Sequence, residues 1–399
     1  MSPQPTPPAG HWLEVLRAFL KLGLTSFGGP VAHLGYFRGE FVARRGWLEE
    51  PAYADLVALC QFLPGPASSQ VGIGIGLMRA GVPGAFAAWT GFTLPSALAM
   101  VLFAYGVARF AGTAGAGWLH GLKIAAVAVV AQAVWGMAQS LCPDRERATL
   151  AVLAAIVVLM VPTAAGQIGA IVLGAVAGLI VLPRAAPASG AGLAVPLGRG
   201  FALGCLVLFF VLLIGLPLLA AAVPDHALEL AASFYRSGSL VFGGGHVVLP
   251  LLQASVVPPG WITDDAFLAG YGAAQAVPGP LFTFAAYLGA AMEPAPNGWA
   301  GAIICLVAVF LPSFLLVFGA LPFWAQLRDR PAAQTALRGV NAAVVGLLLA
   351  ALYRPVWTSA IMRPVDFALA VTAFLLLSLW RAPPWLVVVL AAVAGQVVG

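Results

Sequence analysis

Long apolar runs separated by short polar stretches dominate this chain and predict helices that cross a membrane. A helix needs about 20 residues to cross the hydrocarbon core of a bilayer. Four runs have that length, at residues 83 to 108, 118 to 141, 199 to 223 and 298 to 323. Shorter runs predict five more crossings, at residues 148 to 162, 166 to 182, 336 to 353, 364 to 380 and 384 to 398. The pattern therefore predicts an all-α polytopic membrane protein.

The composition agrees with this prediction. Hydrophobic residues make up 61% of the chain, charged residues 8%, and the mean hydropathy is +0.98, whereas soluble domains carry about 25% charged residues. Residues 1 to 11 are proline-rich and polar, which predicts a disordered tail and not a signal peptide. The net charge of +5 has no soluble basic domain to carry it. We therefore expect the lipid bilayer, and no nucleic acid, as the macromolecular partner.

One spaced pattern occurs twice and indicates two related copies. Seven positions of the first copy match seven of the second at a constant offset. They are Glu14, Phe19, Lys21, Gly23, Phe27, Gly28 and Gly29 in the first copy, and Glu229, Phe234, Arg236, Gly238, Phe242, Gly243 and Gly244 in the second. Further along, Pro95-Ser96 matches Pro312-Ser313, with small register changes of the kind that loop differences cause. The match predicts a first repeat at residues 12 to 182, a linker with one transmembrane helix at 183 to 225, and a second repeat at 226 to 399.

The charges of equivalent loops differ between the two copies. Residues 38 to 50 hold three arginines, whereas their counterpart at residues 247 to 265 holds no lysine or arginine. Conversely, residues 111 to 118 are uncharged, and their counterpart holds Arg328 and Arg330. Because basic loops stay in the cytoplasm, this difference predicts inverted repeats with a cytoplasmic N-terminus and a periplasmic C-terminus. Inversion requires an odd number of membrane crossings between equivalent points of the two copies, and the extra crossing in the linker makes the number odd.

Glycine and proline clusters interrupt the helices near the start of each repeat. They predict re-entrant hairpins at residues 12 to 42 and 52 to 79, with tips at Gly28 to Pro30 and Pro64 to Pro66, and second-repeat tips at Gly243 to Gly245 and Pro278 to Pro280. Half-membrane helices of about 10 to 12 residues would reach the midplane, where irregular backbone is tolerated only beside a protein-enclosed or aqueous cavity. The alternative is a set of ordinary spans kinked by proline.

Helix N-termini at these tips would form an anion site. Their free N–H groups and partial positive charge bind anions without a full cation. Hydroxyl and amide side chains after the tips could add donors, or could bond back to their own helices. The candidate substrate-binding residues are Lys21, Gly28, Gly29, Pro30, His33, Gln61, Pro64, Gly65, Pro66, Ser68, Ser69, Gln70, Arg236, Gly243, Gly244, Gly245, His246, Gln275, Pro278, Gly279, Pro280 and Thr283.

Two cations and two histidines lie near the tips. Lys21 and Arg236 occupy equivalent positions on otherwise apolar helices, where a charge is costly unless it serves a function. They are the best candidates for cations that face the anion; alternatively, they pair with Glu14 and Glu229, seven residues earlier. The two histidines, His33 and His246, could donate to the anion or carry a proton, or could be packing residues.

Other residues are expected to have coupling or structural roles. They are Glu14, Glu229, Arg45 and Trp47, the last two at the membrane interface. The four cysteines form no CxxC pair and are interpreted as free thiols, so we expect no metal and no cofactor. The chain has no GxSxG, HExxH or Walker A motif. We therefore do not expect an enzyme.

Several motifs taken together resemble the chromate ion transporter family. They are Phe27 to His33, Arg44 to Trp47, Gln61 to Pro66 with Gln70, Phe242 to Leu252, and Gln275 to Pro280. The resemblance covers both halves, as in the two-domain members. It implies an inner-membrane protein that exports chromate and gives resistance to it, with halves in opposite orientation. It also implies that the motif residues of these segments are functional.

With the substrate taken from this resemblance, the sequence predicts a secondary transporter that moves chromate by alternating access at a midplane site. The residues alone do not distinguish chromate from sulfate, because N–H groups around a tetrahedral dianion would fit both. A transporter of sulfate or another oxyanion and a passive anion channel stay open as alternatives. A homodimeric assembly also stays open.

Overall fold

The structure is a computed structural model that describes residues 10 to 110, 117 to 184, 193 and 197 to 398. Across these residues the chain forms helices and turns, with no β-strand. Six described stretches are long and apolar enough to cross a membrane: Ala67–Arg109, Gly117–Leu141, Ala164–Val181, Arg199–Ala222, Gly298–Arg328 and Pro331–Ala360. The prediction of an all-α multi-pass membrane protein is therefore confirmed. The predicted tail lies outside the described residues, except that Gly10 donates to the Arg79 carbonyl (2.9 Å) and His11 caps the first helix.

The first half begins with short helices and continues with longer ones. They are α1 (Trp12–Thr25), α2 (Gly29–Phe37), α3 (Glu50–Phe62), α4 (Ala67–Phe110), α5 (Gly117–Leu141), α6 (Arg145–Met160) and α7 (Ala164–Val181). A π-helical turn at Arg38–Arg44 extends α2. α4 has a kink at Ala80 and Gly81, which separates the second arm of a hairpin from the predicted crossing at 83 to 108. α8 (Arg199–Ala222) then leads to the second half.

The second half repeats this order. Its helices are α9 (His226–Ser239), α10 (Val248–Val256), α11 (Asp264–Ala274), α12 (Phe284–Ala291), α13 (Gly298–Ala320), α14 (Trp324–Arg328), α15 (Pro331–Ala351), α16 (Thr358–Ala360), α17 (Pro364–Ser378) and α18 (Pro384–Val398). Short 3-10 turns at Gly245–Val247 and Leu281–Thr283 begin the helices after the two tips. α12 and α13 stand where the first half has the two segments of α4.

Each tip ends one helix and starts the next because its glycine adopts a backbone conformation that other residues rarely take. The φ angle is +100° at Gly28, +128° at Gly65, +73° at Gly243 and +99° at Gly279. A helix cannot continue through such an angle. The glycine and proline clusters therefore form turns between short helices, and do not form kinks within continuous ones.

The tips lie about halfway along the long helices. Ser96 on α4 lies against the tip at Gly279, and Tyr105 lies farther along α4 against the start of α13. Ser313 on α13 lies against the tip at Gly65 and is the middle residue of the Gly298–Arg328 stretch. The short helices thus reach the middle of the molecule from either end.

The two halves are interleaved. α5 of the first half packs on α17 and α18 of the second, while α15 of the second half packs on α6 and α7 of the first. Gly121 lies against the backbone of Ala391, and its equivalent Gly339 lies against Gly174. Small residues permit this close approach of helices. By contrast, α8 has only 11% of its apolar stretch buried, as expected for a helix that faces lipid.

Candidate functional site

The open ends of the first two hairpins meet in one ionic cluster. Glu14, near the start of α1, pairs with Arg45 (3.5 Å) and with Arg79, which ends the second hairpin (3.3 Å). Both guanidinium groups lie 5.1 Å from the ring centroid of Trp47. Trp47 is buried beneath these two cations and does not extend outward from the protein. We call this part of the molecule, defined by Arg38, Arg45 and Arg79, the arginine end.

A basic residue of the second half joins the arginine end. Arg328, at the end of α14, donates to both carboxylate oxygens of Asp55 on α3, at 2.9 and 3.1 Å. Both side chains are buried. The basic loops of the two halves therefore lie together, an arrangement that is compatible with the predicted inversion.

The hairpins of the second half open at the opposite end. The Trp261 carbonyl accepts from the Glu293 N–H (3.1 Å), and the indole ring packs edge-on against His226 at 4.6 Å between centroids. Glu229 lies 3.0 Å from His226. These contacts join the starts and ends of the second pair of hairpins, as the Glu14 cluster does for the first pair. We call this part, defined by His226 and Trp261, the histidine end.

Between the two ends, the tips of one half bind those of the other. The Gly65 N–H donates to the Val241 carbonyl at 2.7 Å, and the Gly279 N–H donates to the Ser26 carbonyl at 2.9 Å. The two bonds are equivalent in the repeat, because each second tip bonds to the residue two positions before the first glycine of the other half's first tip. All four tips therefore meet in the middle of the molecule.

A cavity of about 80 Å³ lies where the tips meet. Since liquid water occupies about 30 Å³ per molecule, this volume has room for a small polyatomic ion. Its wall contains Gly28, Gly29, Pro30, Val129, Gln132, His246, Ala274, Gln275, Val277, Gly279, Leu281 and Pro384. Six of these residues belong to the candidate set from the sequence. We call it the tip cavity.

Among the polar side chains of the tip cavity, Gln275 offers a free donor. The Gln275 Nε2 is shielded from solvent and has no hydrogen-bond partner among the described residues. His246 Nδ1 lies 2.7 Å from the Tyr271 hydroxyl, and Gln132 Nε2 donates to the Leu377 carbonyl at 3.1 Å. A shielded donor without a partner costs about 1 to 3 kcal/mol, which a bound anion would recover.

Two other candidate side chains brace their own tips. Gln70 Nε2 donates to the Pro64 carbonyl at 2.7 Å, and Thr283 Oγ1 donates to the Pro280 carbonyl at 2.9 Å. Both bonds hold a turn and leave these donors occupied. Thr283 thus bonds back to its own turn, as the alternative interpretation predicts.

His33 lies behind the tips and not in the wall of the tip cavity. It is buried, its Nδ1 lies 3.3 Å from Ser68 Oγ, and its ring packs edge-on against Phe92. The His33 Nε2 and the hydroxyl of neighbouring Ser69 are buried and have no partner among the described residues. Eight candidates of the tip backbone lie outside the cavity wall: Pro64, Gly65, Pro66, Gly243, Gly244, Gly245, Pro278 and Pro280.

The two candidate cations differ in burial although they are equivalent in sequence. Arg236 is half-buried, with Nη2 3.4 Å from Ser255 Oγ, beside Gln167 in a cavity of about 10 Å³. Lys21 is exposed, as is the candidate Gln61. The glutamates seven residues earlier pair elsewhere, in the clusters at the two ends. Neither cation lines the tip cavity itself.

Sequence reasoning missed several residues at the tips. Gln132 is one, although its signal was present as an amide within the apolar run 118 to 141. Ser96 and Ser313 are others: they were recognised as repeat equivalents but not as residues that contact the tips at Gly279 and Gly65. The signal for these two serines was a polar residue at the same position of an otherwise apolar helix in both copies.

Comparison with known proteins assigns both halves to one family. The family model described as "Chromate transporter" matches residues 13–179 and again residues 228–396. The chain is 32% identical to the chromate transport protein of Pseudomonas aeruginosa over 356 residues, which cover 86% of this chain and 80% of that protein. It is 28% identical over 408 residues to the probable chromate transport protein of Synechococcus elongatus, covering 98% and 96%, and 25% identical over 404 residues to the chromate transport protein of Cupriavidus metallidurans, covering 98% and 94%. No solved structure matches the chain.

Proposed function

The chain belongs to the chromate transporter family, and from this premise we propose that it is a secondary transporter that exports chromate across the bacterial inner membrane. In this proposal the anion binds in the tip cavity and is exposed alternately to the two sides. The arginine end and the N-terminus lie in the cytoplasm, because basic loops stay on that side. The histidine end and the C-terminus lie in the periplasm.

The main support for the proposal is that tips from both halves converge around one cavity. The wall includes the start of α2, at Gly29 and Pro30, and the turn at His246 that begins α10. Helix N-termini present free N–H groups and partial positive charge, which favour an anion. The unpartnered amide of Gln275 adds a donor at the same place. A small oxyanion is the ligand that suits such a wall.

The equivalent bonds between tips support alternating access. Each second tip is bonded to the other half, through Gly65 to Val241 and through Gly279 to Ser26. If one bonded pair rocks against the other, the cavity opens toward one end while it closes toward the other. Inverted repeats provide two such states of similar energy.

Arg236 and Lys21 complete the proposed set of charges. Arg236 lies inside the protein with a hydroxyl partner and no acidic partner among the described residues, so its charge is available to attract an anion toward the tips. Lys21 is exposed on α1 and would act at longer range. We therefore expect Arg236→Ala to reduce transport more than Lys21→Ala.

Chromate uptake into everted membrane vesicles tests the proposal, because export from the cell becomes uptake in this preparation. Gln275→Leu removes the free donor and is expected to lower uptake at least about tenfold, the effect of losing one hydrogen bond to an ion. Gln61→Leu is the matched comparison, since it changes the equivalent glutamine, which is exposed, and it is expected to have a smaller effect. Absence of chromate uptake by wild-type vesicles would refute the proposal.

The same preparation addresses the two alternatives. If excess sulfate abolishes chromate uptake, the substrate class is oxyanions in general. If the reconstituted chain carries single-channel currents and cannot concentrate chromate against a gradient, it is a channel. Concentrative uptake that stops when the ion gradients are dissipated supports the transporter.

A further inference from the structure

The His246 side chain in the wall of the tip cavity is held by a tyrosine that lies outside that wall. Its Nδ1 lies 2.7 Å from the Tyr271 hydroxyl. Tyr271 lies on α11, is fully buried and packs edge-on against Phe284. Within the described part of the chain its hydroxyl has no hydrogen-bond partner other than His246. The sequence did not single out Tyr271 as a candidate.

The direction of this hydrogen bond follows from what each group can donate and accept. A neutral imidazole has one N–H donor and one acceptor nitrogen. If His246 Nδ1 donated, the Tyr271 O–H would be buried without an acceptor, which is unfavourable. If Tyr271 donates to Nδ1, both groups are satisfied and the imidazole proton lies on Nε2. The contact therefore favours the form of His246 that carries its proton on Nε2.

The Nε2 of His246 is then the ring nitrogen left for a ligand. It makes no hydrogen bond to any described residue, and His246 forms part of the wall of the tip cavity. Gln275 lies one turn after Tyr271 on the same face of α11, and its Nε2 is the shielded donor without a partner. The same helix thus brings one donor to the cavity and holds a second donor in place.

The His246–Tyr271 pair occurs in one half of the protein and has no counterpart in the other. The equivalent positions of the first half are Val31 and Val57. Two valines cannot form this hydrogen bond, yet the hairpins and tips of the first half form without it. The repeat fold therefore does not require the pair, which favours a role in the cavity over a role in folding.

The residues that form the wall of the tip cavity include no lysine, arginine, aspartate or glutamate. Hydrogen bonds therefore decide which anions fit. An oxyanion without protons offers an acceptor at every oxygen, whereas one that keeps a proton also presents an O–H donor. Where that O–H meets the Nε2–H of His246, two donors face each other and a hydrogen bond is lost.

We propose that Tyr271 is a positioning residue that holds His246 as an N–H donor, and that this pair makes the tip cavity selective for fully ionised oxyanions. Oxyanions of equal charge that keep a proton, such as hydrogen phosphate, bind less well. The Tyr271 hydroxyl opposes the change of tautomer that would turn His246 Nε2 into an acceptor. This inference rests on the proposed function and extends it to the choice between anions.

Competition with chromate uptake tests the selectivity. Everted vesicles take up chromate at about pH 8 in the presence of sulfate or phosphate, and the half-inhibiting concentration of phosphate is divided by that of sulfate. We expect a ratio of about tenfold or more for wild type, the effect of one mispaired hydrogen bond to an ion. For Tyr271→Phe we expect a ratio below about threefold, because His246 can then accept as well as donate. The KM for chromate should change about twofold or less, since the Nε2–H form is still available.

Tyr287→Phe is the matched control. Its hydroxyl is also buried and donates to the Ala266 carbonyl at 2.8 Å, and Tyr287 does not line the tip cavity. The competition ratio of this variant should equal that of wild type. An unchanged ratio in Tyr271→Phe, an equal fall in Tyr287→Phe, or a wild-type ratio near 1 would overturn the role of Tyr271.

NMR of the purified full chain with isotope-labelled histidine nitrogens tests the tautomer without transport. Protonated and unprotonated ring nitrogens give well-separated signals, and the signals that His246→Gln removes belong to His246. We expect an unprotonated Nδ1 and a protonated Nε2 whose signal shifts when sulfate or chromate is added. A proton on Nδ1, or an Nε2 signal that neither anion shifts, would overturn the inference. A shift with sulfate in a chain that shows no chromate flux would instead refute only the proposed function.

Discussion

Replacement of Gly65 by alanine tests whether the bonds between tips are needed for transport. The φ angle of +128° costs a residue with a Cβ about 1 to 3 kcal/mol. The added Cβ would lie 2.5 Å from Gln70 Nε2, which braces the tip, and 2.9 Å from Ser313 Oγ, so these side chains are displaced and the brace is lost. The bond to Val241, worth about 1 kcal/mol, is then lost. The sum of about 2 to 4 kcal/mol lowers the population of the bonded tip at least about 30-fold.

The assay is initial chromate uptake into everted vesicles, divided by the amount of chain in the membrane. We expect Gly65→Ala to retain less than about a tenth of wild-type uptake at normal membrane level, because the flanking helices are unchanged. Gly279→Ala makes the equivalent change in the other half, where φ is +99° and the Cβ would lie 2.8 Å from Ser96 Oγ. Gly39→Ala is the control, since a Cβ there meets nothing within 4 Å.

Two outcomes would contradict this reasoning. Wild-type uptake in both tip variants would mean that the bonds between tips have no part in transport. Loss of uptake together with loss of chain from the membrane would mean that the glycine serves folding, and a melting curve in detergent would measure that loss directly. A defect in one variant alone would assign the anion to one half and leave the other half as a scaffold.

Two further predictions concern topology and acid stability. In a chain without its native cysteines, a cysteine at Gly46 should react with an impermeant maleimide only from the cytoplasm and one at Gly260 only from the periplasm; reaction of both from one side would reject inversion. Burial opposes ionisation of Glu40 at the arginine end, but hydrogen bonds from Arg45 and Arg44 outweigh it and hold the pKa of this carboxyl below its usual range. The stability from Glu40 is therefore present above its unfolded pKa and lost as the pH falls through the lower folded value. The Tm of the wild type should fall more steeply below about pH 4 than that of Glu40→Gln, and parallel curves would contradict the contribution of Glu40.

The sequence predicted the crossings and the tips because both depend on local chemistry. An apolar run sets the limits of a helix, as at α5, where the observed Gly117–Leu141 agrees with the predicted 118 to 141. Glycine and proline likewise determine a turn from their own backbone preferences, as at Gly28 and Gly65. Neither inference requires knowledge of a distant neighbour.

The partners of the charged residues could not be predicted in this way. Asp55 and Arg328 are 273 residues apart and meet only because the two halves interleave. Lys21 and Arg236 are equivalent in sequence, yet one is exposed and the other half-buried, since α7 lines the cavity beside Arg236. His120 and Asp366 likewise lie 3.0 Å apart only because α17 is placed against α5.

The interleaving of the halves has a consequence for how the molecule is built. The last helices of each half pack against the other half, where Gly121 contacts Ala391 and Gly339 contacts Gly174. A fragment that ended at α7, or one that began at α9, would lack the partner for its own central helix and would expose a stripe of glycine to lipid. We expect such fragments to be degraded when expressed singly and to be rescued when expressed together. In this sense the protein resembles a heterodimer whose two subunits are joined into a single polypeptide by α8.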